Sequence, residues 1–162
     1  MQPLTIHRGR PVPLLRRDID TDQIIPKQFL KSTERLSFDK VRAAFAEVIK
    51  RETSPRSLIL HAPTYNDPVY LSGRRTFLGY PGHIWSHGLD YAEREAQLLR
   101  VYEGGADAAR LLAQNGIEYV VVGPLEEAEM RARKRRLDRS FFERYPKVGE
   151  AGEYRLYKTA QP

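Results

Sequence analysis

The run Ile117-Glu118-Tyr119-Val120-Val121-Val122-Gly123 constrains the fold of this chain more than any other segment. An almost continuous β-branched stretch of this length suits a parallel strand covered on both faces, and such a strand demands helices on either side of its sheet. The segments around it agree. Ser37 to Arg51 places Phe38, Val41, Phe45, Val48 and Ile49 at helical spacing, with Ser37 as N-cap. Ser57 to Ala62 reads as a short buried strand and Arg75 to Tyr80 as a second. Asp90 to Tyr102 reads as a helix, with Glu93 as capping-box partner and Gly104-Gly105 at its end. Ala106 to Gln114 makes another helix, stopped by Asn115-Gly116. Alternation of strands with helices argues an α/β fold, a small parallel or mixed sheet flanked by helices.

Beyond Pro124, residues Leu125 to Arg136 read as helix, Asp138 to Tyr145 as a shorter one with Phe141 and Phe142 inward, and Pro146 to Lys158 as a closing hairpin. Before residue 37 the pattern changes. Pro3, Pro11 and Pro13 disfavour helix and suit an extended amino-terminal arm, followed by an acceptor-rich turn from Asp18 to Pro26. The division expected is an arm over residues 1–36 and one small α/β domain over 37–162.

The chain has 162 residues and no cysteine, so it can form no disulfide and cannot itself ligate an iron–sulfur cluster. Its net charge of +6 comes from scattered basic residues, except for Arg131-Ala132-Arg133-Lys134-Arg135-Arg136. Beside Glu126, Glu127 and Glu129 on a helix, that cluster reads as a solvated face rather than a nucleic-acid or lipid site. No apolar run approaches the roughly 20 residues of a membrane span, and the first residues have no signal-peptide pattern. A cytoplasmic protein is the expectation.

The richest local chemistry lies between Gly79 and Tyr91. Tyr80, His83, Trp85, His87 and Asp90 gather aromatic faces, imidazoles and a carboxylate, a composition suited to stacking a sugar ring or holding a polar ligand. Metal binding by His83, His87 and Asp90 would need a helix, which Pro81, Gly82 and Gly88 disfavour. The ordinary structural alternative has Tyr80 and Trp85 plugging the core edge while Asp90 caps the following helix. His61 follows a strand end near Asn66 and Asp67, where open parallel sheets expose ligand-binding loops, although a lone strand-end histidine is commonly structural. Phosphate loops and nucleophile elbows are absent from the sequence.

The string Asp18-Ile19-Asp20-Thr21-Asp22-Gln23-Ile24-Ile25-Pro26-Lys27-Gln28-Phe29-Leu30-Lys31, followed by Ser32-Thr33-Glu34-Arg35, resembles the amino-terminal signature of 3-isopropylmalate dehydratase small subunits. The resemblance runs from about Gly9 to Phe38. It implies membership of the aconitase superfamily, whose small subunit is a swivelling domain closing over a cluster-bearing large subunit. It further implies that Asp22 stands at the active-site edge and that Arg35 contacts substrate, making these the candidate catalytic residues. A guanidinium fork binds a dicarboxylate bidentately, and a carboxylate can orient it or relay a proton. The alternative for Asp20, Thr21 and Asp22 is that they cap a turn. The family's Gly-Ser-Ser-Arg-Glu-His loop has no counterpart here; Tyr91-Ala92-Glu93-Arg94-Glu95 lacks its serines, glycine and histidine.

Residues from about 41 to 158 resemble a different group, the soluble carboxy-terminal domain of bacterial multi-pass membrane proteins of the dolichyl-phosphate-mannose-dependent glycosyltransferase type. The segments Gly79 to Tyr91, Tyr119 to Pro124 and Glu153 to Tyr157 carry this likeness. Two expectations follow. The first is a dehydratase small-subunit-like chain of leucine biosynthesis, acting on a small dicarboxylate only with a large subunit that carries the iron–sulfur cluster, or inactive for want of the loop. The second is a detached, non-catalytic domain that binds a polar ligand or partner. Neither involves a nucleic acid or a membrane span.

Overall fold

The computed structural model describes residues 33–159, with side chains from Lys40 onward. The arm and Asp22 lie outside the described residues, and Arg35 is described only as a helical backbone position.

Helix α1 (Thr33–Glu52) opens the described body, followed by β1 (Leu58–Leu60), α2 (Pro68–Ser72), β2 (Arg75–Thr76) and α3 (Pro81–Ser86). Next come α4 (Ala92–Glu103), α5 (Ala106–Gln114), β3 (Tyr119–Val122), α6 (Pro124–Ala132), α7 (Arg139–Phe142), β4 (Lys147–Ala151) and β5 (Tyr154–Lys158). The strands form a five-stranded mixed sheet in the order β2-β1-β3-β5-β4. Strands β2, β1 and β3 run parallel, whereas β5 and β4 add to β3 antiparallel. This is the expected α/β class, with the hairpin completing a mixed sheet.

Period-two alternation splits the core into two layers. Ile59, Tyr119, Val121 and Leu156 face α1, packing with Phe45, Ile49 and Tyr154. Leu60, Val120 and Val122 face the other way, against Leu98, Tyr102, Leu111, Leu112, Met130 and Phe142. A strand buried on both faces is what the β-branched run requires, and all four residues of β3 are buried.

Several local expectations change. Helix α1 begins four residues before Ser37, because no breaker stands between Thr33 and Glu52. Asp90 does accept a hydrogen bond from the Ala92 amide at 2.9 Å, but Tyr91 is the N-cap of α4, and Glu93 bonds Gln97 Nε2 at 3.2 Å instead of closing a capping box. Residues 81–86 are helical after all, since Pro81 stands at the first turn, where its fixed φ and missing N–H cost nothing. Pro68 starts α2 in the same way behind the N-cap Asp67. Helix α6 stops at Ala132, short of Arg136. Lys134 takes a left-handed φ of 55°, and the amides of Lys134 and Arg135 donate back to the carbonyls of Arg131 (3.0 Å) and Met130 (2.8 Å). That pattern is a Schellman turn with lysine in the place usually held by glycine.

Candidate functional site

The sheet brings the ends of β1 and β3 side by side, and both strands run straight from the core into polar chemistry. Strand β1 is followed by His61 and Ala62; β3 is followed by Gly123 and Pro124, the start of α6. Gly123 fits because a Cβ there would lie 2.4 Å from the Tyr154 ring. Across this junction the carboxylate of Glu126, one turn into α6, accepts a hydrogen bond from the Ala62 amide at 3.0 Å. Glu126 is fully buried. The sequence places it in an acidic solvated face, and the structure corrects this: packing of α6 across the β1–β3 crevice turns Glu126 inward while Glu127 and Glu129 stay on the outer side.

Asp67 completes the cluster. Its Oδ1 caps α2 by accepting from the Val69 amide at 2.8 Å and stands 3.3 Å from His61 Nδ1. His61 Nδ1 also lies 2.7 Å from the Ala62 carbonyl, so both its neighbours are acceptors and Nδ1 carries a proton. Burial first, then the neighbouring Asp67 charge, push the Glu126 carboxyl well above the usual carboxylate range. Asp67 Oδ2 and Glu126 Oε2 find no hydrogen-bond partner among the described residues.

Three phenols surround this group. The Tyr102 hydroxyl donates to the Val121 carbonyl at 2.9 Å, and burial raises its pKa. Tyr70, whose ring meets His61 edge-on at 5.2 Å, is pushed up to about 12 by burial and by Asp67. Burial likewise raises Tyr154, with Glu126 and Asp67 adding to the shift. His61 Nε2 and the hydroxyls of Tyr70 and Tyr154 find no partner among the described residues. The arrangement buries two carboxyls and an imidazole at the crevice end of the parallel strands, where open α/β sheets hold ligands.

The five residues of the 79–91 segment do not converge. Trp85 and Asp90 line a surface cavity of about 510 Å³ with Gly88, Leu89, Tyr91, Ala92 and Glu95. Tyr80 instead pairs edge-on with His83 (5.2 Å) and Tyr65 (5.8 Å), and His87 is the C-cap of α3. Trp85 does not plug the core edge: it is 75% exposed, because α3 presents it outward beside Leu89. Among the described residues no three of His, Asp or Glu assemble as a metal site. No helix among them is long and apolar enough to cross a membrane.

Sequence reasoning singled out His61 and the Asn66-Asp67 turn but missed Glu126. The available signal was a carboxylate one turn past a strand-Gly-Pro junction, at the end of the most strongly buried strand.

Comparison with known proteins adds one family. The 3-isopropylmalate dehydratase small subunit of Bordetella avium (strain 197N) is 40% identical over 86 residues, covering 48% of this chain and 40% of that protein. Its counterpart in Lactococcus lactis subsp. lactis (strain IL1403) is 42% identical over 65 residues, 40% of this chain and 34% of that protein. For the Geobacillus kaustophilus (strain HTA426) small subunit the figures are 63% over 38 residues, 24% and 19%. The chain thus spans two fifths or less of the length of these relatives. They support the first of the two resemblances and lend nothing to the second. No family model matches the chain, and no solved structure matches it.

Proposed function

We propose that this chain is a 3-isopropylmalate dehydratase small-subunit-like component of leucine biosynthesis, interconverting 2- and 3-isopropylmalate in the cytoplasm only in company with a large subunit. The density of identities in the short shared stretches carries this reading, 63% over 38 residues in one relative. Arg35 grips the dicarboxylate with its fork and Asp22 orients that grip. The absence of cysteine means that this chain does not fit an iron–sulfur cluster, which belongs on the partner. With no Gly-Ser-Ser-Arg-Glu-His loop, the chain supplies no evident base of its own and depends on the partner for proton transfer. In a reconstituted isomerase, Arg35→Ala is expected to lower kcat/KM by roughly 10- to 100-fold, the value of a charged hydrogen-bond pair. An unchanged rate removes Arg35 from the site.

The exposure of Trp85 over the 510 Å³ cavity favours a second reading, a non-catalytic body that binds a polar ligand through this rim, in the manner of a domain detached from a membrane glycosyltransferase-like protein. An aromatic face beside the Asp90 carboxylate suits the apolar face and hydroxyls of a sugar. Trp85 is the single tryptophan in the chain, so its emission reports this rim alone. Titration with hexoses and hexose phosphates is expected to shift or quench it saturably; a flat response across the panel sinks this reading.

A further inference from the structure

The basic run is not a plain solvated face. The Schellman turn at Lys134 folds Arg135 and Arg136 back beside α6, and α7 follows at once. Together these segments border an open surface cavity of about 920 Å³ lined by Arg131, Arg135, Arg136 and Arg139, with Glu103, Glu127 and Asp138 among its other walls. Two of the four guanidiniums pair with carboxylates: Arg135 Nη1 lies 2.8 Å from Glu103 Oε2, and Arg139 Nε 2.7 Å from Glu127 Oε1. Asp138 is engaged by the Ser140 hydroxyl at 2.6 Å. Arg131 and Arg136 are exposed and have no ion-pair partner among the described residues.

We propose that this arginine-lined cavity binds a phosphorylated small molecule, with Arg131 and Arg136 gripping the phosphate.

The four guanidiniums outnumber the three carboxylates, and two of them have no ion-pair partner among the described residues. Planar forks suit the oxygens of a phosphate dianion, two or more of which they can bind at once. The Arg135 and Arg139 pairs are solvent-exposed and weak, so either fork can turn to an incoming anion at small cost. A recess of this volume matches small-molecule sites, which run to roughly 1,000 Å³. The carboxylates on its walls disfavour a flat anionic surface such as a lipid bilayer, which cannot enter the recess and would meet Glu103 and Glu127 at the rim. This site is distinct from the Trp85 rim and does not rest on either functional reading above.

Isothermal titration of the full chain with inorganic pyrophosphate at low salt tests the assignment. Expected is saturable binding at one site per chain, weakened at least about tenfold in the double variant Arg131→Ala/Arg136→Ala and unchanged in Arg110→Ala, whose pair with Asp107 lies on α5. Both altered arginines are exposed, so the double variant should melt with the parent, and a thermal scan checks this. Absence of binding, equal affinity in a folded double variant, or malonate binding as tightly as pyrophosphate overturns the proposal. So does a chain that ignores pyrophosphate yet sediments with phosphatidylserine vesicles.

Discussion

Asp67→Ala is expected to destabilise the α/β body by about 3–4 kcal/mol, on the order of a hundredfold or more in the folding equilibrium. The side chain has three jobs and no exposure. It caps α2 through the Val69 amide, a contact worth about 1 kcal/mol. It also lies beside His61 Nδ1 and close enough to Glu126 to push that carboxyl upward. Truncation strands the Val69 amide and takes an acceptor from His61 Nδ1, and each stranded polar group costs about 1–3 kcal/mol. Urea unfolding at neutral pH gives the number directly. Asp67→Asn is the control: its carbonyl oxygen can still cap α2, so its loss should be much smaller. A cost below about 1 kcal/mol for the alanine variant would mean that the cluster is loosely held.

The second large effect is on pH dependence. The Glu126 carboxyl titrates well above its ordinary value near 4.5 in the folded chain, so the folded state holds a proton that the unfolded state has already released. Its contribution is therefore complete below the ordinary carboxylate pKa and is lost steadily as pH rises towards the folded value. The loss amounts to about 1.4 kcal/mol per pH unit for one proton. Glu126→Gln removes the titration while keeping an acceptor for the Ala62 amide. Melting temperatures of parent and variant, followed from pH 5 to 9, are expected to diverge, with the glutamine form gaining on the parent as pH rises. Parallel curves would show that Glu126 is ionised in the folded chain.

What the sequence revealed and what it hid both have physical reasons. The β-branched run at 119–122 marks a strand buried on both faces whatever its neighbours are, so the α/β class and the helices behind it are legible locally. Prolines mislead when they are taken only as terminators. Pro68 and Pro81 each open a short helix, and that depends on the residue before them adopting an extended N-cap conformation. The end of α6 was equally hidden, because a Schellman turn with Lys134 in the left-handed region lacks its usual glycine signal. Glu126 looks like its exposed neighbours in any helical-face argument. Its burial follows from pairing of β1 with β3, a contact between residues about 60 apart in the chain. Trp85 fails for the opposite reason: aromatic residues usually seek the core, but a six-residue helix bounded by Pro81 and Gly88 has too little surface to turn all its apolar residues inward.

The central claim is partner-dependent isomerisation, and one assay meets it head on. The full chain is mixed with a purified, cluster-loaded 3-isopropylmalate dehydratase large subunit, and formation of the unsaturated intermediate is followed spectroscopically. Turnover above that of the large subunit alone is the expected result. No added turnover, with the same large subunit shown competent beside its own small subunit, would contradict the claim and leave the α/β body as a binding module that carries a dehydratase-like segment.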